Sequence, residues 1–562
     1  MSENANIIAT FFGDAEYPVE WKDEAEKSLM WWYDDLHCPN PISPLYFDIG
    51  GWWGITCEYM YRRFGAPFGK YWLAKKIGGY VYSAIVPHPP ETDFASLGAY
   101  WGVEMPIYAD KFLGWWKNRY IPEITANHKY MDDFDRAGAT IPEYLIHLED
   151  CLDIQERHFK IHWILNLAQF AAGLDFRAAY TEALGEIDEE NLGRIIVSDN
   201  DRNWDSLRAL WEIKEFIKTA PSLVELIGKP TDEIKATIAT VEKGGELLKK
   251  IEEYQDEYGY KAVYTHEYIF TTWKEDPAPI YDALRIYVAD DYDFNIAFNK
   301  CKEDQTAAIN ELYARAAGSP VIDKLKTTLE LAVRMAPLTP DHHFYIDQGC
   351  YSRVRIMFVE LGRKMAAAGI LDDAEDIFML EYEEIRAICV RPDAFDCKAR
   401  VAERRAAMVM AGKKAPREWY GTIDHWQMYE EPYKSLWGWP FKYETELAAK
   451  AQQQSATVIK GIPASPGIVE GVARCVASPA EFDQIQMGDI LICKMTNPAW
   501  VVSFSKISGL VTDTGAALSH PGVVSREFGI PCVVGTSKAT RMISSGMKVR
   551  VDGSKGIVEI LE

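Results

Sequence analysis

The sequence predicts a multidomain protein in which a large, mainly all-α region precedes a small α/β domain. Before residue 450, apolar residues recur at steps of three and four, as on one face of a helix. Beyond residue 460, short β-branched runs alternate with Gly, Pro and Asp, which is typical of strands joined by turns. Between them, residues 448–460 are polar and lack aromatic side chains, a composition that suits a linker. We therefore predict domains at residues 1–447 and 461–562.

The helical region is predicted from its periodicity. Val354, Met357, Phe358 and Leu361 lie at three- and four-residue steps, and Gly369 is placed to end that helix. The same reasoning predicts helices at 141–174, 203–227, 231–258, 347–369 and 393–411, and between Pro320 and Pro340. These helices fit one large lobe or two packed lobes, and the sequence leaves both arrangements open.

The first 120 residues are rich in tryptophan. Nine of the 18 tryptophans lie there, namely Trp21, Trp31, Trp32, Trp52, Trp53, Trp72, Trp101, Trp115 and Trp116. Large aromatic rings usually fill a core, but so many in one region also suit a pocket for a flat aromatic ligand. Both interpretations stay open.

The α/β domain is predicted from short apolar runs between turn residues. Predicted strands lie at 468–476, 490–493, 509–512, 532–534 and 549–551. Residues 525–528 are expected to belong to a helix that lies between two of these strands.

A run of small residues precedes a histidine in this domain. Gly515 begins the run, and Ser519-His520 is followed by a short helical pattern. Small side chains let an anion approach the backbone, and the N–H groups at the start of a helix face such an anion. An imidazole at this place can carry a phosphoryl group as a covalent intermediate. The alternative is a buried structural histidine in a tight turn.

The C-terminal hundred residues resemble the phosphohistidine swivelling domain of the phosphoenolpyruvate-utilising enzymes. The matching motifs are Gly461-Ile462-Pro463-Ala464-Ser465-Pro466-Gly467, Gly515, Ser519-His520, Arg526-Glu527 and Gly529-Ile530-Pro531. That family includes phosphoenolpyruvate synthase, pyruvate phosphate dikinase, rifampicin phosphotransferase and phenylphosphate synthase. The resemblance implies that His520 is phosphorylated, that Ser519 and Gly515 adjoin the phosphoryl group, and that the domain moves on its linker.

A second candidate histidine lies in Asp34-Asp35-Leu36-His37-Cys38-Pro39-Asn40-Pro41. On a helix, Asp34 and His37 would share one face, and the prolines would then force an extended segment. An imidazole beside a carboxylate suits general-base work, and a structural histidine is an equal alternative. The segment is similar to an Asp-x-x-His-x-Pro-x-Pro element of rifampicin-phosphotransferase-like and phenylphosphate-synthase-like proteins, which implies that His37 lies near the acceptor.

A third segment, Asp341-His342-His343-Phe344-Tyr345-Ile346-Asp347, is similar to a stretch of the same families. Adjacent residues point in different directions, so one of His342 and His343 is expected to be structural. We take His343 as a further catalytic candidate. The candidates for contacts to substrate or phosphate are Asp34, His342, Asp347, Arg353 and Arg355, since guanidinium groups bind phosphate oxygens. A salt-bridged helix surface is the alternative for the arginines.

Composition and charge exclude several classes of function. The formal net charge is −24 at pH 7, which argues against nucleic acid and anionic membranes as partners. The ten cysteines show no CxxC pair and no zinc-like spacing. No signal peptide is recognisable, and no apolar run reaches the ~18 residues that span a bilayer. We therefore expect a cytoplasmic protein.

Taken together, the motifs and the resemblance imply the phosphohistidine and acceptor subunit of an ATP-dependent aromatic phosphotransferase. No ATP-grasp-like or Walker A pattern is found in the sequence. The resemblance to two-subunit phosphotransferases of phenol, p-cresol and acetophenone catabolism implies a separate ATP-grasp subunit that binds Mg-ATP. The acceptor is then a phenolic hydroxyl, and the sequence leaves open which phenol. Two alternatives are a rifampicin-type antibiotic phosphotransferase component and a carrier that passes phosphate to another protein.

Overall fold

The computed structural model describes residues 19–561, with the exception of Leu36, Gly54, Asp199, Asp290, Ala415, 423–456, Ser478, Asn497 and 516–518. The described residues form two compact units. Unit 1 contains residues 19–167, 264–270 and 345–422, and unit 2 contains residues 168–263, 271–344 and 457–561. The chain passes between the units several times, so the units do not coincide with the consecutive domains predicted from the sequence.

Most of the described chain is helical. The α-helices are α1 Glu24–Lys27, α2 Ile55–Phe64, α3 Phe94–Trp115, α4 Ile121–Asp132, α5 Ile141–Leu184, α6 Glu189–Ile195, α7 Arg202–Lys218, α8 Pro221–Ile227, α9 Thr231–Thr237, α10 Gly244–Tyr258, α11 Ala278–Ala289, α12 Phe294–Arg315, α13 Ile322–Met335, α14 Leu338–His342, α15 Gly349–Ala367, α16 Tyr382–Val390, α17 Cys397–Gly412, α18 His520–Phe528 and α19 Ala539–Met542. Shorter π-helical turns lie at Tyr46–Gly50, Trp116–Tyr120 and His343–Gln348, and 3₁₀ turns at Ile238–Thr240, Ala374–Met379, Pro479–Gln484 and Pro498–Ser505. No helix in the described ranges is long and apolar enough to span a membrane.

The predicted helices are present, but two of them are divided. The segment predicted at 203–227 is α7 and α8, because Pro221 lacks the N–H that would continue the first helix and begins the second. The segment predicted at 231–258 is α9 and α10, which are separated where Lys243 adopts a left-handed φ of 60°. Helix periodicity therefore located the helices, whereas local backbone chemistry set their ends.

The region predicted as helical, residues 1–447, also contains a sheet, which corrects the sequence-based prediction. Strands β1 Met30–Tyr33, β2 Tyr71–Ile77, β3 Tyr80–Val86 and β4 Trp419–Gly421 form a four-stranded sheet in the order β2-β3-β1-β4. Gly78 and Gly79 join β2 to β3 with positive φ angles of 58° and 90°, as a tight hairpin turn requires. Trp31 and Tyr33 are buried in the sheet core, so these aromatic residues fill a core rather than a pocket.

The C-terminal part of unit 2 contains an eight-stranded sheet. Its strands are β5 Val458–Lys460, β6 Ile462–Ser465, β7 Ile468–Cys475, β8 Ile490–Cys493, β9 Gly509–Thr512, β10 Cys532–Val534, β11 Lys548–Asp552 and β12 Ile557–Ile560. They are ordered β5-β12-β11-β7-β8-β9-β10-β6. Strands β7 to β10 pair in parallel, and the flanking pairs are antiparallel.

The predicted helical region and C-terminal sheet domain are therefore confirmed, with one correction at their boundary. Residues 458–460, predicted as the end of the linker, form β5 and pair with β12. The remainder of the predicted linker, residues 448–456, lies outside the described residues. Two β-branched residues in a three-residue strand were too few to predict a strand from alternation alone.

A single hydrophobic core joins the helices of unit 2 to the C-terminal sheet. It includes Trp204 and Leu284 from the helices together with Trp500, Leu510 and Val524 from the C-terminal domain. Helix α18 also packs against α12. The C-terminal domain is therefore seated on the helices of residues 168–344, and this contact is the structural setting of His520.

Candidate functional site

His520 is the first residue of α18 and follows the end of a parallel strand. Strand β9 ends at Thr512, and the chain then turns at Gly515, where φ is +118°. A side chain at Gly515 would be strained at that φ, and its Cβ would lie 2.7 Å from the Ser519 hydroxyl oxygen. Loops at the carboxyl ends of parallel strands are common places for ligand sites. The predicted site residues Gly515 and Ser519 thus lie close together, and His520 follows directly.

Asp513 fixes the beginning of this turn. One carboxylate oxygen accepts hydrogen bonds from the Thr536 hydroxyl at 3.0 Å and from the Thr540 backbone N–H at 3.2 Å. The other oxygen accepts a hydrogen bond from the Thr540 hydroxyl. The loop that leads to His520 is therefore tied to the segment after β10, which restricts the positions that the imidazole can take.

The His520 imidazole is 8% exposed and neutral. Burial lowers its pKa well below the usual value, and electrostatic interactions with His343 and Lys261 lower the pKa further. Nδ1 lies 3.0 Å from the Thr496 hydroxyl oxygen, whereas Nε2 is buried without a hydrogen-bond partner among the described residues. We assign the proton to Nδ1, which donates it to Thr496, so that Nε2 carries the free lone pair.

This assignment predicts the effect of Thr496→Val. Removing the hydroxyl acceptor should lower the rate of His520 phosphorylation by about fivefold, because one orienting hydrogen bond is worth about 1 kcal/mol. Phosphorylation by the small donor phosphoramidate, followed by intact mass, measures this rate. The control is Thr514→Val, whose hydroxyl bonds the Lys494 carbonyl in a neighbouring loop. Equal rates in wild type and Thr496→Val would refute a role of Thr496 in orienting His520.

Lys261 is the second buried cation near His520. Its Nζ donates a 2.5 Å hydrogen bond to the Ser206 hydroxyl and lies 5.2 Å from the ring centroid of Trp273. Burial first, and then the charge of Arg202, lower the pKa of Lys261 to about 7. Sequence reasoning missed this lysine, because it lies in no motif and far from His520 along the chain.

The adjacent histidines His342 and His343 lie in unit 2 and have different surroundings. The His342 ring is buried and donates from Nδ1 to the Leu338 carbonyl 3.0 Å away, within its own helix. The two ring centroids are 4.2 Å apart. Of the two, it is His343 whose charge acts on His520. His342 therefore has the structural contact, and His343 stays the predicted catalytic candidate of the pair.

Asp34 and His37 form a contact in unit 1, but not on the predicted helix. Strand β1 ends at Tyr33, and His37 lies in the turn that follows. The His37 Nδ1–H donates to Asp34 Oδ1 at 2.8 Å, and Asp34 Oδ1 also lies 3.4 Å from the His37 backbone nitrogen. A local turn in which the carboxylate bonds its own backbone replaces the helix, since Asp favours such turns. The sequence spacing thus correctly predicted that Asp34 and His37 are in contact, but the backbone between them is a turn and not the predicted helix.

An aromatic cluster surrounds His37. Its ring centroid lies 4.5 Å from Trp52 and 5.6 Å from His266, and Trp52 stacks on Phe159 at 5.8 Å. The His37 side chain is 22% exposed. The buried Glu267 carboxylate accepts hydrogen bonds from the Ser43 N–H and hydroxyl, both at 2.6 Å, which holds the segment that carries His266. His266 and Phe159 were not predicted, because they reach His37 only through the fold.

The predicted phosphate-binding arginines have carboxylate partners in unit 1. Arg353 donates from Nε and Nη2 to Asp132 at 2.9 and 2.8 Å, and Arg355 donates from Nη2 to Glu375 at 2.6 Å. Their guanidinium groups are engaged in ion pairs, which corresponds to the salt-bridge alternative. Asp347 is fully buried, with one carboxylate oxygen 3.6 Å from Nδ1 of His162. These contacts are made with residues outside the aromatic cluster around His37.

Comparison with known proteins assigns two segments of the chain. Residues 485–556 match the mobile domain of PEP-utilising enzymes, and residues 161–338 match the fourth domain of rifampicin phosphotransferase. The chain is 27% identical over 419 residues to an uncharacterised phosphotransferase, YvkC, of Bacillus subtilis (strain 168), which covers 73% of this chain and 48% of that protein. It is 29% identical over 360 residues to a rifampicin phosphotransferase of Streptomyces sviceus, covering 63% of this chain and 39% of the relative.

A third relative matches only the C-terminal part. Phosphoenolpyruvate synthase of Pyrococcus furiosus is 44% identical over 114 residues, which are 20% of this chain and 14% of that protein. The chain thus spans about half or less of the length of these relatives. The predicted mobile domain is confirmed, and the predicted phosphotransferase class is the class of the chain's homologues.

Proposed function

We propose that this chain carries a phosphoryl group on His520 and transfers it to the hydroxyl of a small aromatic acceptor. The observation that carries the proposal is the buried His520 imidazole, whose Nδ1 bonds Thr496 and whose Nε2 has no hydrogen-bond partner among the described residues. A neutral imidazole is the nucleophilic form, because protonation would occupy the Nε2 lone pair. The match of residues 485–556 to the mobile domain of PEP-utilising enzymes supports the same role.

The proposed reaction balances in three steps. Nε2 of His520 attacks the β-phosphorus of Mg-ATP, the bond to the α-phosphate oxygen breaks, and AMP leaves. Water then removes the γ-phosphate as inorganic phosphate, which leaves a single phosphoryl group on Nε2. Finally the acceptor oxygen attacks this phosphorus, the P–N bond breaks, and a base takes the hydroxyl proton. Positioning and exclusion of water are the main tasks of the protein in such transfers.

Movement of the C-terminal domain belongs to the proposal. His520 is only 8% exposed where the C-terminal domain packs on the helices of unit 2, so a nucleotide cannot reach its imidazole. The domain must leave this position for His520 to meet a donor site. We place Mg-ATP on a separate ATP-grasp subunit, and the experiment below tests this arrangement directly.

We propose the surroundings of His37 as the acceptor site for a phenol. Trp52, Phe159 and His266 offer aromatic surfaces that suit a flat ring. Asp34 holds the Nδ1 proton of His37, which leaves His37 Nε2 able to take the phenolic proton. A phenol, with a pKa of about 10, is mostly protonated at neutral pH, so a base at this place assists attack.

A rifampicin-type antibiotic is the second candidate acceptor. The observation that favours it is the match of residues 161–338 to the fourth domain of rifampicin phosphotransferase. Such a bulky acceptor and a small phenol differ in size, so that a panel containing both separates the two candidates.

The testing experiment combines the chain, candidate ATP-grasp subunits, Mg-ATP and an acceptor panel of phenols and rifampicin, with products read by mass. We expect AMP, phosphate and an aryl phosphate only when both proteins are present. Aryl phosphate formed by this chain alone would refute the separate nucleotide subunit. Phosphorylated rifampicin without aryl phosphate would favour the second candidate, and AMP with neither product would place the acceptor outside both classes.

A further inference from the structure

Unit 2, which contains His520, also contains a buried lysine that has no ionic partner among the described residues. Lys261 follows α10, and the described residues place no carboxylate within ion-pairing distance of its Nζ; its hydrogen bond goes to the neutral Ser206 hydroxyl. The rings of Trp273, Tyr258 and Tyr254 lie 5.2 to 6.0 Å from Nζ. A buried ammonium without an anion is costly, because burial removes its hydration.

Other buried or partly buried cations of unit 2 differ from Lys261 in this respect. Lys214 donates hydrogen bonds to Glu215 at 2.8 Å and to Asp291 at 2.7 Å. Arg202 pairs with Asp205 at 3.1 Å. Unit 2 thus supplies carboxylates for two cations and leaves Lys261 with a hydroxyl and aromatic rings. Such an arrangement suits an anion that arrives from outside the helices.

The nearest candidate for that anion is the group that His520 is proposed to carry. The His520 ring centroid lies 6.3 Å from that of Phe504, and Phe504 belongs to the same hydrophobic core as Trp273 and Tyr254, whose rings lie beside Lys261. The Nε2 of His520 is buried without a partner among the described residues, and the charge of Lys261 acts on this imidazole.

The contact between the C-terminal domain and the helices of unit 2 is extensive. The ring centroids of Phe528 in α18 and Tyr292 lie 6.5 Å apart, and Trp204 and Trp500 belong to one hydrophobic core. A phosphoryl group on Nε2 of His520 would bring up to two negative charges into this buried space.

We propose that Lys261 and Ser206 form a binding site for the phosphoryl group of phosphorylated His520. The ammonium and the hydroxyl would both donate to phosphoryl oxygens, and His343 would complete the positive surroundings. The site stabilises the position of the phosphorylated domain against the helices of unit 2. The inference rests on the proposed function of His520 and adds a residue that contacts the transferring group.

The test uses the full chain and a small chemical donor, so no partner protein is needed. Phosphoramidate transfers its phosphoryl group to the imidazole nitrogen, and ammonia leaves as the P–N bond of the reagent breaks. The pH titration of the resulting phosphohistidine is then followed by ³¹P NMR in wild type, Lys261→Met and Lys261→Arg. We expect the phosphoryl pKa in Lys261→Met to lie at least about one unit above wild type, because a nearby cation favours the dianion. Lys261→Arg should restore most of the difference.

The matched control is Lys300→Met, since Lys300 Nζ lies 3.4 Å from a Cβ placed on Gly529, at the other end of α18. This variant should titrate as wild type does. The melting temperature of Lys261→Met should be no lower than that of wild type, because the substitution removes a buried charge. If Lys261→Met is nevertheless unstable, Lys261→Gln takes its place. Identical phosphoryl titrations in wild type and both neutral variants would overturn the inference while leaving phosphorylation of His520 intact.

Failure of wild type to be phosphorylated by phosphoramidate would instead count against the proposed function. In that case calorimetric binding of inorganic phosphate to wild type and to Lys261→Met decides the inference separately. Binding at least about tenfold weaker in Lys261→Met would keep Lys261 as an anion-binding residue. Equal binding, or binding to neither protein, would overturn it.

Discussion

His520→Ala is expected to abolish phosphorylation of the chain and all product formation while the fold is retained. Without the imidazole no P–N bond can form, and loss of a catalytic nucleophile costs several orders of magnitude in rate. Among the described residues the His520 ring makes a single side-chain hydrogen bond, to Thr496. Removing the ring therefore leaves a small cavity and breaks only that hydrogen bond. Intact mass after incubation with phosphoramidate, or with Mg-ATP and the partner, measures the loss.

The control for His520→Ala is another buried histidine. His147 is buried, its ring is stacked on Phe134 at 4.0 Å, and burial lowers its pKa too. His147→Ala should therefore test what loss of a buried imidazole does to stability without touching the proposed nucleophile. Residual phosphorylation of His520→Ala above roughly 1% of the wild-type rate would contradict the mechanism, since such a rate exceeds what nucleophile loss allows.

His37→Ala is expected to leave His520 phosphorylation unchanged and to slow transfer to the phenol by about 10² or more. This is the range in which a positioned general base acts. The measurement is a single turnover: the chain is phosphorylated with phosphoramidate, freed of reagent and mixed with phenol, and aryl phosphate is followed by mass. Asp34→Asn should slow the same step, because the carboxylate that holds the His37 Nδ1 proton is lost.

The slowing of His37→Ala should also depend on pH. With a base removed, the phenolate itself must attack, so the deficit should shrink as the pH approaches the phenol pKa of about 10. His88→Ala provides the control within unit 1, because the His88 Nε2–H donates to the Ala66 carbonyl and His88 is not in the cluster around His37. Failure of the phosphorylation step itself in His37→Ala would remove His37 from the acceptor site.

The residues around His520 are close together in the sequence, so a motif was enough to predict them. Gly515, Ser519 and His520 lie within six consecutive residues, and the positive φ of Gly515 and the helix start at His520 are local properties. The strands around them were likewise predicted at nearly their observed bounds, because each is a short apolar run between turn residues. The pair of Asp34 and His37 was found for the same reason, although its backbone is a turn.

The features that the sequence did not predict depend on contacts between distant parts of the chain. The sheet of unit 1 needs β4, whose Tyr420 pairs with Trp31 almost four hundred residues earlier. Arg353 was predicted as a phosphate contact, and only the fold shows that Asp132 lies beside it. Alternation within a four-residue strand or a lone arginine on a helix carries no information about such partners.

The sequence by itself determined the α/β domain, the turn that presents His520 and most of the helices. These depend on neighbouring residues, whose periodicity and turn chemistry act over a few positions. Only the tertiary structure decided that the domain is seated on the helices of residues 168–344, that Lys261 bonds Ser206, and that His266 lies beside His37. Burial and pairing of these groups are set by packing between segments far apart in the chain, which no local pattern encodes.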